Sequence, residues 1–275
     1  MRRVRDLARV GPVLLALCLL ASCAWAQPAA PTNLGVSGSD VMAVTVESAT
    51  LATAVASASS ITFPHTCTAA VGLFVGVGNQ SPQAVTGITY NGVAMTMLWD
   101  KVDDLGIQRS AGALMVNPAA GTHDVVVTFA AAVDIGVAGA VGLLSLETSS
   151  VANAHRTVYT ANETAGGAPS VTVADSQNGD LVIDSAVTFS ITIAAGAGQT
   201  SRAEDDAIAG GGSSWGLSTE SATGANTVMS WTGGSFWATG ATALIAASAG
   251  ASVTYPQLER VARGIERGIL TGDIR

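Results

Sequence analysis

Two stretches of this chain spell the same strand pattern, and that duplication limits the fold more than any other feature. Ser60-Ile61-Thr62-Phe63, a spacer and Val71-Gly72-Leu73-Phe74-Val75 are answered 110 positions later. There the chain reads Ser170-Val171-Thr172-Val173, a spacer and Leu181-Val182-Ile183-Asp184-Ser185. Further on, Gly121 to Phe129 is answered by Gly224 to Thr232, and each is followed by a small-residue strand, Val137–Leu146 and Ala238–Ala247. A diverged repeat of this period means a unit of several strands used twice.

The N-terminus reads as an address. Arg2, Arg3, Arg5 and Arg9 precede an apolar run, Val10 to Leu20, that is too short for an ordinary membrane-spanning helix. Ala24-Trp25-Ala26 then offers the small residues that a signal peptidase needs, which predicts a signal peptide over 1–26 and export of the rest. Leu20-Ala21-Ser22-Cys23 supports a second reading, a lipoprotein anchored at Cys23 through lipid chains. Without residues 1–26 the chain keeps 8 basic and 19 acidic residues, a formal charge of −11. Such acidity excludes a nucleic-acid partner and suits a soluble exported surface. Nothing in the mature sequence reads as a transmembrane span. Cys67 is then the only cysteine, so no internal disulfide forms, and its ordinary role is that of a small buried hydrophobe.

Residues 27–40, rich in Pro, Ala, Gly and Ser, read as a flexible lead-in. Val41 to Ser59 reads as one or two weak strands. Asn91-Gly92, between the alternating runs Val85–Tyr90 and Val93–Trp99, predicts a two-residue hairpin, because both central positions need positive φ. Short strands punctuated by Gly, Ser and Asn continue to Ala247, with no amphipathic helix among them. The expected fold is all-β: a two-sheet antiparallel sandwich of jelly-roll type over 41–250, with repeat halves at about 60–147 and 170–248. The pattern changes at Tyr255. Leu258, Val261, Ala262, Ile265 and Ile269 fall at helical spacing and predict a C-terminal amphipathic helix over 255–270. That helix packs on its own sandwich or docks an envelope or surface protein.

Three constellations invite a chemical reading. Asp100, Asp103 and Asp104 follow one strand, and Glu204, Asp205 and Asp206 stand at the matching place in the second half. Clustered carboxylates on a loop suit Ca²⁺, although the spacing fits no EF-hand; the plainer reading is a solvated loop. Trp99, Trp215, Trp231 and Trp237 are candidates for stacking against a glycan, or else core anchors in a chain poor in aromatics. His65 and Cys67 share a strand face but lack a third orienting group.

Other matches fail on context. Gly212-Ser213-Ser214-Trp215-Gly216 has the letters of a nucleophile elbow but precedes a strand. Gly72, Gly76 and Gly78 precede no helix, so they make no dinucleotide fingerprint. Asp180 and Asp184 on one regular strand stand about 13 Å apart, too far for either glycosidase geometry. His65, His123 and His155 have no metal-ligand spacing.

His65-Thr66, Val71 to Val77, Val85 to Thr96 and Asn117 to Phe129 resemble a recurring β-sandwich module. It occurs in uncharacterised secreted or surface bacterial proteins and in some phage tail-associated proteins. The resemblance covers about Ile61 to Ala247 and implies a jelly-roll or concanavalin-like sandwich with an accessory, structural or adhesive role. It supplies no catalytic residues. An arginine often found before the central apolar strand is absent here, where Ala69-Ala70 stand. The expectation is an exported non-enzymatic protein with a structural, adhesive or assembly role at the cell surface or outside the cell. The second reading is a carbohydrate-binding module, with Ca²⁺ as its ion; the third is a glycoside hydrolase.

Overall fold

A computed structural model of the protein describes residues 42–163 and 166–248. The signal peptide 1–26, Cys23, the lead-in 27–40 and the helix at 255–270 lie outside the described residues. The described part falls within one compact unit, Asp40–Arg275.

Sixteen antiparallel strands build it. The first half contains β1 (Thr45–Leu51), β2 (Val55–Cys67), β3 (Gly72–Gln80), β4 (Val85–Tyr90), β5 (Val93–Ala94), β6 (Thr96–Val102), β7 (Gln108–Val116) and β8 (Gly121–Leu144). The second contains β9 (Tyr159–Glu163), β10 (Ser170–Val173), β11 (Leu181–Thr188), β12 (Ala194–Ala195), β13 (Thr200–Asp205), β14 (Ser214–Ser221), β15 (Thr227–Thr232) and β16 (Trp237–Leu244). The all-β expectation therefore holds. Two sheets were expected; the strands form three hydrogen-bonded sheets of eight, five and three.

The larger sheet folds on itself because β8 serves two layers. Its first part pairs with β2 and β4, and its last part pairs with β1 and β3. Val125, Val127 and Phe129 alternate inward; the alternation breaks at exposed Ala130, Ala131 and Ala132, where the strand crosses from one layer to the next. Between the layers, Ile61, Phe63, Ile88 and Val127 of the outer layer meet Leu73, Val75 and Ala113 of the inner one. The inner layer runs β6-β7-β3-β8-β1, and its counterpart runs β13-β14-β11-β16-β9. The outer layers correspond as well: β2, β8 and β4 match β10, β15 and β12.

The halves meet inner sheet to inner sheet, so the molecule is a four-layered stack. Phe74, Leu114, Val137 and Val141 face Ile183, Val187, Leu217 and Ala238 in one shared core. Two indoles fix the distance between the sheets. Trp99 of β6 lies between Gly112 and Gly240, and Trp215 of β14 lies over Gly78 and Gly139. A methyl group on any of these four glycines would overlap an indole ring. Three polar pairs cross or line the same interface. Trp215 Nε1 donates to Ser185 Oγ at 2.9 Å, Ser110 Oγ donates to the Ser185 carbonyl at 2.8 Å, and Gln108 Nε2 donates to Ser213 Oγ at 2.8 Å.

The structure adjusts the repeat. The 110-residue offset holds for β2 and β10, where Ile61 and Phe63 face inward as Val171 and Val173 do. It slips by one residue in the next strand. Phe74 faces the other half, whereas Asp184 turns toward its own outer sheet and Ile183 and Ser185 face across. A one-residue slip exchanges the faces of a strand, and letter matching cannot detect it. Two further elements differ. The strand expected over Val137–Leu146 is the continuation of β8, which ends at Leu144, and the segment after Glu147 supplies a one-turn helix, Val151–Ala154, and the edge strand β9. The Asn91-Gly92 hairpin forms as its residues require, with φ of 50° and 73°. At Met95 the chain then leaves the outer layer and enters β6 of the inner one.

Removal of an interlocking indole should cost the whole fold. Trp215→Ala is expected to lower unfolding free energy by about 3–5 kcal/mol, the usual range for a large buried aromatic. Gly78→Val, which obstructs the same slot, should destabilise in the same direction. Urea unfolding followed by tryptophan emission measures both; a loss below about 1 kcal/mol for either would contradict the interlock.

Candidate functional site

The four tryptophans proposed for glycan stacking are all interior. Trp99 and Trp237 are 5% exposed, Trp231 2% and Trp215 0%, so none offers a ring face to a sugar. For Trp99, Trp215 and Trp231 the burial follows from the glycines opposite: Trp231 covers Gly216 within the second half, as Trp99 covers Gly112 in the first.

The six acidic candidates sit at the same end of the stack, at the ends of β6 and β13, and are engaged in different ways. Asp100 pairs with Arg109 at 2.8 Å. Asp103 is buried and accepts the Ile107 N–H at 2.7 Å, closing the turn before β7. Asp104 accepts from Asn162 Nδ2 at 2.5 Å. Asp206 accepts the Ile193 N–H at 2.8 Å. Burial, and then Asp206 beside it, push the Asp205 carboxyl up, while Glu204 is half-buried on β13. Among the described residues no group of three or more His, Cys, Asp or Glu is placed to hold a metal ion.

Pairing brings together residues that stand far apart in the sequence. His65 and His123 are direct cross-strand partners and flank the Tyr90 ring, with centroids 6.5 Å and 5.5 Å from it. Tyr90 is fully buried and donates to the carbonyls of Gly121 (3.0 Å) and His65 (3.3 Å), tying the end of β2 to the start of β8. His65 accepts or donates at Thr50 Oγ1 (2.9 Å), which links the edge of the inner sheet to the outer one. Burial lowers the His65 pKa and raises those of the Cys67 thiol and the Tyr90 phenol. Cys67 is thus held as a thiol, opposite to what a nucleophile requires. Beside Tyr90 lies a cleft of about 380 Å³, lined by Val93, Ala94, Met115 and Asn117 among others. Tyr90 is its one titratable lining group. It suits an apolar side chain, and it holds no pair of groups for acid–base work.

The second half has its own buried polar centre. Asp184 accepts from Ser218 Oγ (2.6 Å), Ser218 N (3.2 Å) and Trp231 Nε1 (2.6 Å), and so joins β11 and β14 to the outer strand β15. Gln199 extends the network, donating to Ser218 Oγ at 2.6 Å and accepting the Ser230 N–H at 2.7 Å. Burial raises the Asp184 pKa to about 7, against the pull of these donors. Ser214 is not a nucleophile elbow: it is buried at the start of β14 and donates to the Ser190 carbonyl at 2.8 Å. Asp180 lies just before β11 and pairs with Arg156.

A cluster that the sequence reading did not single out lies in the loops that follow β11 and β15. Ile191 is 69% exposed and Phe189 45%. Phe189 packs edge-on against Phe236, with centroids 6.2 Å apart, and donates its N–H to the Phe236 carbonyl at 3.1 Å. Phe236 is held at φ 56°, a conformation that costs an L-residue about 1–2 kcal/mol. One sequence signal points here: no charged residue occurs from Ser185 to Ser201, from Ala207 to Thr219, or from Ser221 to Ser248.

Two measurements check the polar centres. Tyr90→Phe removes the buried hydroxyl that bonds the Gly121 and His65 carbonyls and is expected to cost about 1–2 kcal/mol in urea unfolding. For Asp184 the sign follows from the raised pKa. The folded state keeps the proton up to about pH 7, whereas the unfolded carboxyl loses it near its ordinary value. Its stabilisation is therefore complete below about pH 4 and lost as pH rises to about 7, a change on the order of a few kcal/mol. Asp184→Asn should flatten the stability-versus-pH curve in that window; an unchanged slope would refute the assignment.

No protein-family model matches this chain, and no curated protein matches it.

Proposed function

We propose that this protein is an exported, non-catalytic β module with a structural, adhesive or assembly role at the cell surface or outside the cell. The observation that carries the reading is the disposition of the chain in the stack. β3 and β11 run in the same direction, so equivalent loops of the two halves gather at one end: Gly76 faces Ser185, and Gly211 lies against Ile135 and near Gln80. The chain enters and leaves at the opposite end, where Thr45 pairs with Leu144 and the Ala247 N–H reaches the Ser145 carbonyl. About 30 Å, the length of the nine-residue β3, separates the two ends. A rigid body tethered at one end and offering loops at the other suits attachment or assembly.

Three further observations support it. The chemically capable side chains Asp184, His65 and Tyr90 are occupied in joining layers, and Cys67 is buried in the apolar core. The mature chain is acidic and its N-terminus reads as a signal segment. The resemblance to secreted and surface modules points the same way, and with it goes the jelly-roll-like reading of residues 41–250.

Labelling and sequencing test the proposal. An antibody against the folded protein should label intact cells, or the protein should be recovered from the medium, with a first residue of Gln27 or a lipidated Cys23. Retention in the cytosol with Met1 intact would end it. On a glycan array the mature protein should bind nothing that EDTA removes; such binding would make it a Ca²⁺-dependent lectin instead.

A further inference from the structure

We infer that the loop end carrying Phe189, Ile191 and Phe236 is a docking knob for a protein partner that offers an apolar socket rimmed by Lys and Arg. The inference rests on the surface reading above and names the end that binds and what it binds. Exposed large hydrophobics clustered in one place mark an interaction site, whereas scattered ones do not. Here two of the three are exposed on the β11–β12 loop, and the third, half-buried Phe236, is held against Phe189 by a strained backbone. Strain of this kind in a bulky residue persists where the surroundings impose it, and it concentrates at functional places. Glycines lie against Phe189, Gly212 at its ring and Gly234 at its carbonyl. At Gly212 a Cβ would stand 3.2 Å from the Phe189 ring.

Charge decides what fits. The knob itself is uncharged, and the neighbouring strands and loops carry acids. Asp206 binds the Ile193 N–H, two residues past Ile191. Glu163 pairs with Trp237, which pairs with Thr188 immediately before Phe189. Asp134 is exposed and precedes Ile135, whose side chain fills the space beside Gly211. Of the cations at the same end, Arg109 is already paired with Asp100, and Lys101, beside it on β6, is half-buried. An apolar centre inside a polar rim is the usual anatomy of a protein interface. An acidic rim selects a basic complement and repels both a second copy of this chain and an anionic bilayer.

The experiment uses the full chain in its own host. Ile191→p-benzoylphenylalanine places a photo-cross-linker on the knob, and Val93→p-benzoylphenylalanine, exposed beside the cleft at the other end, is the control. Irradiation of intact cells should give one protein adduct from position 191 and at least tenfold less of it from position 93. The cross-linked partner peptide should lie within a Lys- or Arg-rich surface. The purified partner should bind wild-type protein, and lose at least tenfold in affinity on Phe189→Ser and on Asp134→Lys, with thermal midpoints of both variants near wild type. Adducts with lipid alone, with a second copy or with the chain's own C-terminal segment would overturn the inference. So would no adduct, or equal yields at the two positions. Surface labelling of the same cells separates the failures: a labelled protein without the adduct refutes the knob alone, and an unlabelled cytosolic protein refutes both readings.

Discussion

Two indoles seated in glycine slots hold this molecule together. Trp99 and Trp215 reach across the plane between the inner sheets, and each needs a backbone without side chains to lie against. Sheets faced with ordinary side chains pack about 10 Å apart. Here glycine on one surface and tryptophan on the other replace that even interdigitation by a few deep interlocks. Each indole N–H is also paired inside the interface, Trp99 with Ser110 and Trp215 with Ser185, so burying the rings leaves neither donor unsatisfied. The consequence reaches both outer layers, because each outer sheet packs on the back of an inner sheet that the indoles hold in place.

The halves share topology but not chemistry. In the first half the space between layers is an apolar core running from Ile61 to Ala140. In the second half the corresponding space is smaller and divided, with Val171, Val182 and Met229 on one side and Ala186, Ile193 and Trp231 on the other. Asp184 and its donors lie at that division. A buried carboxyl is costly in an apolar gap, and it is tolerated here because three donors converge on it. Such a centre favours one register of β15 over β11, since a shifted strand would bury the carboxyl without Trp231. Duplication thus produced two halves that align their sheets by different means.

Parts of this were readable from the residues. Asn91-Gly92 demands positive φ twice, and that local requirement fixed a hairpin without help from the rest of the chain. The repeated segments identified corresponding strands, and the acidic triplets fall at the ends of corresponding strands, although Asp100, Glu204 and Asp205 lie on β6 and β13 themselves rather than on the loops expected for them. The burial of the tryptophans was not readable, because an indole in a strand is equally compatible with a sugar platform and with a glycine slot two sheets away. Nor was the neighbourhood of His65, His123 and Tyr90, since cross-strand partners depend on register. Phe189, Ile191 and Phe236 escaped notice for a related reason: they become a cluster only when two loops some forty-five positions apart reach the same end.

The sequence by itself determined the strand-forming character of the chain, its duplication, its acidity and its turns, because each depends on neighbours a few residues apart or on composition. Only the tertiary structure decided which face each strand turns inward, how the two halves stack, and which side chains remain exposed. Those are properties of register and of layer packing. A shift of one residue reverses them while leaving every local preference satisfied.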